Sequence, residues 1–285
     1  MRIATIEKNG RSEPVVISDS RALSLTPLGF SDVLAFIAAG ERGKELANRR
    51  LADCEPLSVD GIRLLAPIPR PPKILCVGLN YRDHAIESKM EIPATPTIFP
   101  KLSSSVIGPD QEIVVPACTA KPDYEAEFAV IIGRTGKRIP QSQWRDYVYG
   151  YTILNDVSAR DLQFQTSQWS LAKSVDTFCP IGPHIVTADE VSDPHNLSIS
   201  LSIGCEVLQH SNTRELIFGI AELIEFISRV LTLEAGDVIS TGTPSGVGLG
   251  RNPPRWLRDG DEVVVKIDQI GTLRNRVIME PSVPR

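Results

Sequence analysis

The stretch Tyr124-Glu125-Ala126-Glu127-Phe128-Ala129-Val130-Ile131-Ile132-Gly133 limits what this chain can fold into more than any other. Its apolar end reads as a buried β-strand. Side chains alternate faces along a strand, so Glu125 and Glu127 point the same way. Ala129 and Ile131 continue that face towards the interior. Two like charges there repel, and an uncompensated buried carboxylate is very costly. The fold must therefore bring positive charge between them, and a divalent metal ion is the simplest source.

Composition narrows the remaining choices. A chain of 285 residues suits one large domain, or one domain with a small appendage. Its 42% hydrophobic and 23% charged residues are ordinary for a globular protein, which sets disorder aside. A net charge of −5 leaves no basic footprint, so no nucleic acid partner is expected. No apolar run approaches the roughly 18 residues of a membrane span. The amino terminus, Met1 to Ile6, reads as a first strand and lacks a signal-peptide core. Cys54, Cys76, Cys118, Cys179 and Cys205 are scattered without a Cys-x-x-Cys pair, as in a reduced, cytoplasmic protein.

Residues 1–70 read as a small N-terminal α+β domain. Strands fall near Arg2 to Ile6 and Val15 to Ile17, Ser31 or Asp32 caps a helix, and a charged helix follows Gly40. The proline-rich Ala66 to Pro72 is a stiff connector, placing the boundary to a second domain over 71–285. Lys73 to Gly78 is a buried strand. Asn80 then caps a helix that places His84 and Glu87 at i and i+3 on one face. A carboxylate that orients an imidazole makes a general base, although an isolated His-x-x-Glu is also an ordinary solvated pair. Met90 to Pro100 reads as a loop able to close over a site.

The strand Tyr147 to Asn155 delivers Asp156 at its end, where a plain turn residue is the alternative. Ser158-Ala159-Arg160-Asp161 has the spacing of a capping box, so a helix carrying Arg160 and Gln163 should begin there. Lys173 sits between apolar stretches; if buried it needs an acid or a substrate anion, and otherwise it is a surface lysine. Asn196 to Gly204 alternates apolar residues with serine, as a half-exposed strand does. A helix is expected from Asn212 to about Leu231, its stripe from Leu216 through Ile220, Leu223, Ile224 and Ile227 to Leu231 serving the core. His184, His195 and His210 read as structural.

Thr241 to Gly248 is a Gly-rich loop lacking the Lys of a phosphate-binding loop and the following helix of a dinucleotide fold. Ser245 is not framed as a hydrolase elbow. What remains is a turn whose N–H groups and Thr243 hydroxyl can hold a substrate carboxylate. Glu125, Glu127 and Asp156 form an all-oxygen set, which suits Mg²⁺ or Mn²⁺; calcium usually takes more protein oxygens, and zinc is disfavoured.

Five motifs in order then make the sequence resemble the fumarylacetoacetate hydrolase family from about Lys73 to Ile278. They are Val77 to His84, Tyr124 to Glu127, Asn155 to Gln163, Ala172 to Ser174 and Thr241 to Gly248. The resemblance implies an α+β fold, a mixed β-roll of stacked sheets with peripheral helices, assembled as a homodimer. It implies Mg²⁺ or Mn²⁺ on Glu125, Glu127 and Asp156, and a His84–Glu87 pair acting on water beneath a closing lid. Lys173, Gly242 and Thr243 would contact substrate, with Arg160 and Gln163 lining the pocket. The implied activity is hydrolysis of a carbon–carbon bond in an acylpyruvate-type 2-oxo acid through an enolate held on the metal. The alternatives are oxaloacetate decarboxylation, enol–keto isomerisation, a ureidoglycolate-type lyase and, from another class, a non-catalytic carboxylate-binding protein.

Overall fold

Short β-branched runs broken by Gly, Pro and Asn favour strands over helices in most of this chain. The computed structural model describes residues 1–18, 21–51 and 62–281; Cys54 lies outside them. The chain starts with a meander of β1 (Arg2–Lys8), β2 (Arg11–Ser18) and β3 (Arg21–Ser24). Asn9 and Gly10 make the first turn with φ of 52° and 72°, the left-handed pair that a two-residue hairpin requires. Helices α1 (Val33–Ala38) and α2 (Gly40–Leu51) follow, and the Asp32 carboxylate caps α1 by accepting from Ala35 N at 2.8 Å. Then come β4 (Arg63–Leu65), β5 (Ile74–Gly78), α3 (Arg82–Glu87) and β6 (Thr97–Lys101).

The middle of the chain supplies β7 (Val106–Ile107), β8 (Ile113–Val115), β9 (Pro122–Asp123), β10 (Ala126–Ile132), β11 (Val148–Asn155) and β12 (Ser158–Ala159). Two single-turn helices, α4 (Arg160–Gln163) and α5 (Ser170–Lys173), precede β13 (Cys179–Thr187). The remainder is β14 (Ser198–Ile203), β15 (Glu206–Asn212), α6 (Ile220–Ser228), β16 (Val238–Ser240), β17 (Glu262–Ile267) and β18 (Gly271–Met279).

The largest sheet runs β3-β2-β1-β13-β11-β10-β16-β5-β6, so the acidic strand β10 has neighbours on both sides. A second sheet, β15-β14-β17-β18-β8, lies against one face. There Phe128, Val130 and Ile132 of β10 share a core with Ile199, Val265 and the α6 residues Leu223 and Ile227. On the other face Ala129 and Ile131 pack with Val33, Phe36 and Ile37 of α1. The class is α+β, with open sheets and few helices among the described residues, as expected.

Several local expectations are corrected. The expected boundary near residue 70 does not separate the sheets: β1 pairs with β13, Ile3 opposite Ile185, although Ala4, Ile6 and Val15 keep a small cluster of their own. The boundary at 66–72 is thus a connector inside one shared sheet. Thr97 to Lys101, expected within a loop, is an edge strand on β5, where Pro100 costs no ladder bond because no strand lies beyond it. The helix expected from Asn212 begins only at Ile220. Asn212 instead accepts from Arg214 N at 2.9 Å to close one 3₁₀ turn, the chain extends at Leu216, and Leu231 stays exposed. Ser158 caps no helix: its hydroxyl donates to the Asp156 carbonyl, and α4 has no side-chain cap. Asn80 leaves the start of α3 and acts at long range, donating to Phe218 O and Thr241 O and accepting from Phe218 N.

Candidate active site

Strand pairing alone places the three acids. Ala126 of β10 sits opposite Asn155 of β11, and just beyond this pair Asp156 N donates to Glu125 O at 2.9 Å. Asn155 closes the corner by accepting from Glu125 N at 3.0 Å. Glu127 then points towards the same space from β10. Carboxylate oxygens of Glu125, Glu127 and Asp156 come within 4.8 Å of one another, and all three residues are buried.

Part of the positive charge that this cluster needs comes from the chain itself. Lys173 Nζ lies 2.6 Å from Glu125 Oε2 and 2.7 Å from Asp156 Oδ2. Lys101, which no sequence pattern singled out, reaches Asp156 Oδ1 at 2.5 Å and the Val157 carbonyl at 3.2 Å. Arg160 donates to Glu125 Oε1 at 2.6 Å, to Asp123 Oδ2 at 2.9 Å and to Gln163 Oε1 at 2.9 Å. Burial alone would raise the Glu125 carboxyl, but the Lys173 ammonium and Arg160 guanidinium outweigh it and hold it at about 2. Burial would lower the Lys173 ammonium; the Asp156 and Glu125 carboxylates reverse that and raise it.

Glu127 differs. Among the described residues no basic side chain pairs with it; its Oε2 accepts only from the Ser240 hydroxyl and from Gly242 N at 3.0 Å. Burial, then repulsion from Asp156 and Glu125, pushes its carboxyl well above the usual carboxylate range. A buried carboxylate held among like charges, with all-oxygen donors around it, fits a hard divalent cation. The residues present therefore suit Mg²⁺ or Mn²⁺.

Only part of the Gly-rich loop offers N–H groups to a ligand. Several of its amides already hold acids of the chain itself. Gly242 N serves Glu127, Gly246 N reaches Glu87 Oε1 at 2.8 Å, and Gly248 N and Leu249 N reach Asp123 at 2.7 and 3.0 Å. At Gly242, with φ of 96°, a Cβ would stand 2.8 Å from Asn80 Cβ, so no larger residue fits. The Thr243 hydroxyl accepts from Gln209 Nε2 at 2.9 Å, and Gln209 Oε1 also accepts from Ala126 N at 2.9 Å. Gln209 thereby ties β15 to both the acidic strand and the loop. Asp123 and Gln209 were not legible because their partners lie far along the sequence; a buried Pro-Asp directly before the acidic strand was the one available hint.

Helix α3 brings His84 Nδ1 to 3.1 Å from Glu87 Oε2, so the expected pair forms. Glu87 is pinned on its other oxygen by Gly246 N, which fixes the imidazole from behind. A cavity of about 460 Å³ joins these elements, lined by Glu125, Glu127, Lys173 and Thr243 as well as by His84, Glu87, Arg160 and Gln163. Of the sequence-predicted residues, Gly242 and Asp156 are not among those lining the cavity. Gly242 acts through Glu127, and Asp156 lies behind Glu125 between two lysines.

Acids, an imidazole held by Glu87 and a sizeable cavity meet on stacked sheets, and comparison with known proteins gives the family. The model described as fumarylacetoacetate (FAA) hydrolase C-terminal matches residues 73–278. The chain belongs to the fumarylacetoacetate hydrolase family. It is 44% identical over 248 residues to "Oxaloacetate tautomerase Fahd2a, mitochondrial" of Rattus norvegicus, covering 86% of this chain and 79% of that one. It is 47% identical over 225 residues to "Oxaloacetate tautomerase YisK" of Bacillus subtilis, covering 77% and 74%. Among solved structures, maleylpyruvate hydrolase from Sphingobium sp. SYK-6 in complex with manganese(II) ion and pyruvate superposes with a TM-score of 0.85 at 30% identity, covering 99% and 100%. The family thus includes tautomerases and hydrolases, and no helix of the described residues is long and apolar enough to cross a membrane.

Proposed function

We propose that this chain is a divalent-metal-dependent enzyme that interconverts the enol and keto forms of a small anionic 2-oxo acid. The observation that carries this reading is one cavity lined both by Glu125 and Glu127 of the acid triad and by the His84–Glu87 pair. The relatives named oxaloacetate tautomerases support the reaction type. Mg²⁺ or Mn²⁺ at Glu125, Glu127 and Asp156 would supply a Lewis acid for the carboxylate and adjacent carbonyl of the substrate.

The chain's own residues do the rest. Glu87 accepts from His84 Nδ1–H, which leaves Nε2 as the base that carries a proton between the enol oxygen and the neighbouring carbon. Lys173, kept charged by its acids, stabilises negative charge on the enolate, an effect worth about 3 kcal/mol per well-placed donor. Arg160 holds Glu125 and Asp123 in place, and Gln163 steadies Arg160. Thr243 faces the substrate from the loop.

A second reading is carbon–carbon bond hydrolysis of an acylpyruvate, with Nε2 taking a proton from water that attacks the remote carbonyl. The likeness to a maleylpyruvate hydrolase favours it. Purified protein with Mg²⁺ or Mn²⁺, and a chelated control, should be given enol-form oxaloacetate, acylpyruvates, fumarylpyruvate and ureidoglycolate. Keto product without carbon–carbon cleavage supports the first reading; pyruvate plus a second acid supports the second. Carbon dioxide or glyoxylate release would instead identify a decarboxylase or a lyase, and metal binding without turnover a non-catalytic binder. Homodimeric assembly, read by light scattering, belongs to the same proposal. So does a reducing compartment such as the cytoplasm, supported by free Cys76, Cys118, Cys179 and Cys205.

A further inference from the structure

The cavity is chemically lopsided. Its ionic lining includes the buried Glu125, Glu127 and Lys173, whose ammonium lies 5.1 Å over the Phe99 ring, and its apolar lining continues from Phe99 through Trp169 to Phe164, Met90 and Leu249. Two of these walls are fixed. Phe99 and Trp169 meet edge to face with centroids 5.4 Å apart, and the Trp169 ring lies over Gly78, where a Cβ would stand 2.9 Å from it. The other three are large apolar side chains held in water, Phe164 66% exposed, Met90 59% and Leu249 40%. Scattered exposed apolar residues are ordinary, but a group of them rimming one concave site marks a binding surface.

Size and charge point the same way. At about 460 Å³ the cavity lies in the range that encloses drug-sized ligands, far more than a four-carbon diacid fills. Lysine and arginine among its lining residues amount to Lys173 and Arg160, and both are already held by acids at 2.6 to 2.9 Å. A longer diacid would carry its second carboxylate along apolar walls where the lining offers no uncommitted Lys or Arg to receive it.

We infer that the substrate of this enzyme carries an apolar chain or ring beyond its 2-oxo acid head, which Trp169, Phe99, Phe164, Met90 and Leu249 enclose. The inference rests on the proposed reading of the ionic end as the site of a 2-oxo acid head. It assigns specificity to the apolar walls, and it separates this chain's preference from that for short or doubly charged acids.

Affinity tests it without turnover. Mg²⁺-loaded protein is titrated calorimetrically with 2-oxobutanoate, 2-oxohexanoate, 2-oxooctanoate and the diacid 2-oxoadipate. Affinity should rise about fourfold per added methylene, the gain expected from burying each one. 2-Oxohexanoate should bind more tightly than 2-oxoadipate, which has the same chain length. Phe164→Ala and Leu249→Ala, both at exposed positions that the fold does not need, should each shrink the ratio of 2-oxooctanoate to 2-oxobutanoate affinity. Equal affinities along the series, or tighter binding of 2-oxoadipate, would overturn the inference while leaving the head-group site standing. Failure of every acid to bind would overturn both.

Discussion

Lys101 and Asp156 form an ion pair with both side chains fully shielded from solvent, Nζ lying 2.5 Å from Oδ1, while Lys173 occupies the opposite oxygen at 2.7 Å. One carboxylate therefore carries two ammonium groups, which places it apart from Glu127, a triad member without a basic partner. The site is asymmetric: one side is neutralised by the chain, and Glu127 has no basic partner among the described residues.

Lys101→Met should cost about 1–3 kcal/mol of stability, less than a fully orphaned buried charge would, because Lys173 still pairs Asp156 at 2.7 Å. The measurement is the urea midpoint of the chelated protein. Adding Asp156→Asn should recover part of the loss, since the oxygen that faced Lys101 then carries no charge. An unchanged midpoint in the single variant would show that Lys173 alone satisfies Asp156.

Glu127→Gln keeps an oxygen for Ser240 and Gly242 but removes the charge that Asp156 and Glu125 oppose. The chelated variant should be at least as stable as the parent, whereas its calorimetric signal for Mg²⁺ or Mn²⁺ should vanish. Glu125→Ala should likewise lose metal binding and turnover. Full activity after thorough chelation would remove the triad from the mechanism.

His84→Gln and Glu87→Gln should each lower turnover by roughly 10²–10⁴-fold, the usual contribution of a positioned base, with metal affinity kept. If His84→Gln turns over substrate at the parental rate, proton transfer belongs to another group and the metal site is unaffected by that result.

Stability should also fall in mild acid for a reason remote from the active site. Burial lowers the His184 imidazole from 6.5 to about 4, and its Nε2 has no partner among the described residues. The unfolded chain therefore takes up this proton first. The stability that the neutral ring contributes is complete above about pH 6.5 and is lost as pH falls towards about 4, at most about 3 kcal/mol. Comparing urea midpoints at neutral pH and pH 4.5 for the parent and His184→Gln isolates the effect: the variant's decline should be shallower.

Glu125, Glu127 and the imidazole pair were readable from local periodicity, two residues along a strand or three along a helix, whereas Asp156 stood out only as the acid ending the next strand. Their anchors were not readable. Lys101 lies beyond a proline that makes an edge strand look like a loop. Asn80 looks like a helix cap until Phe218 and Thr241, well over a hundred residues later, are brought beside it. The apolar stripe from Leu216 to Leu231 joined a 3₁₀ turn to a helix, because Leu216 falls on the helical period although the chain is extended there. Likewise the first seventy residues carry their own strands and helices, and only the β1–β13 register reveals that they share a sheet with the rest.

The loop from Gly242 to Leu249 grips Glu127, Glu87 and Asp123 through main-chain amides. Its three crowded glycines apart, length more than side-chain identity is then what this segment must preserve. An exchange at Ser245 or Val247 leaves the spacing of those amides intact, whereas inserting or deleting one residue would shift three carboxylates out of alignment together. A library that varies Ser245 and Val247 at constant length, with the glycines kept, should be rich in folded, metal-competent proteins, and one that varies the loop's length should be nearly barren.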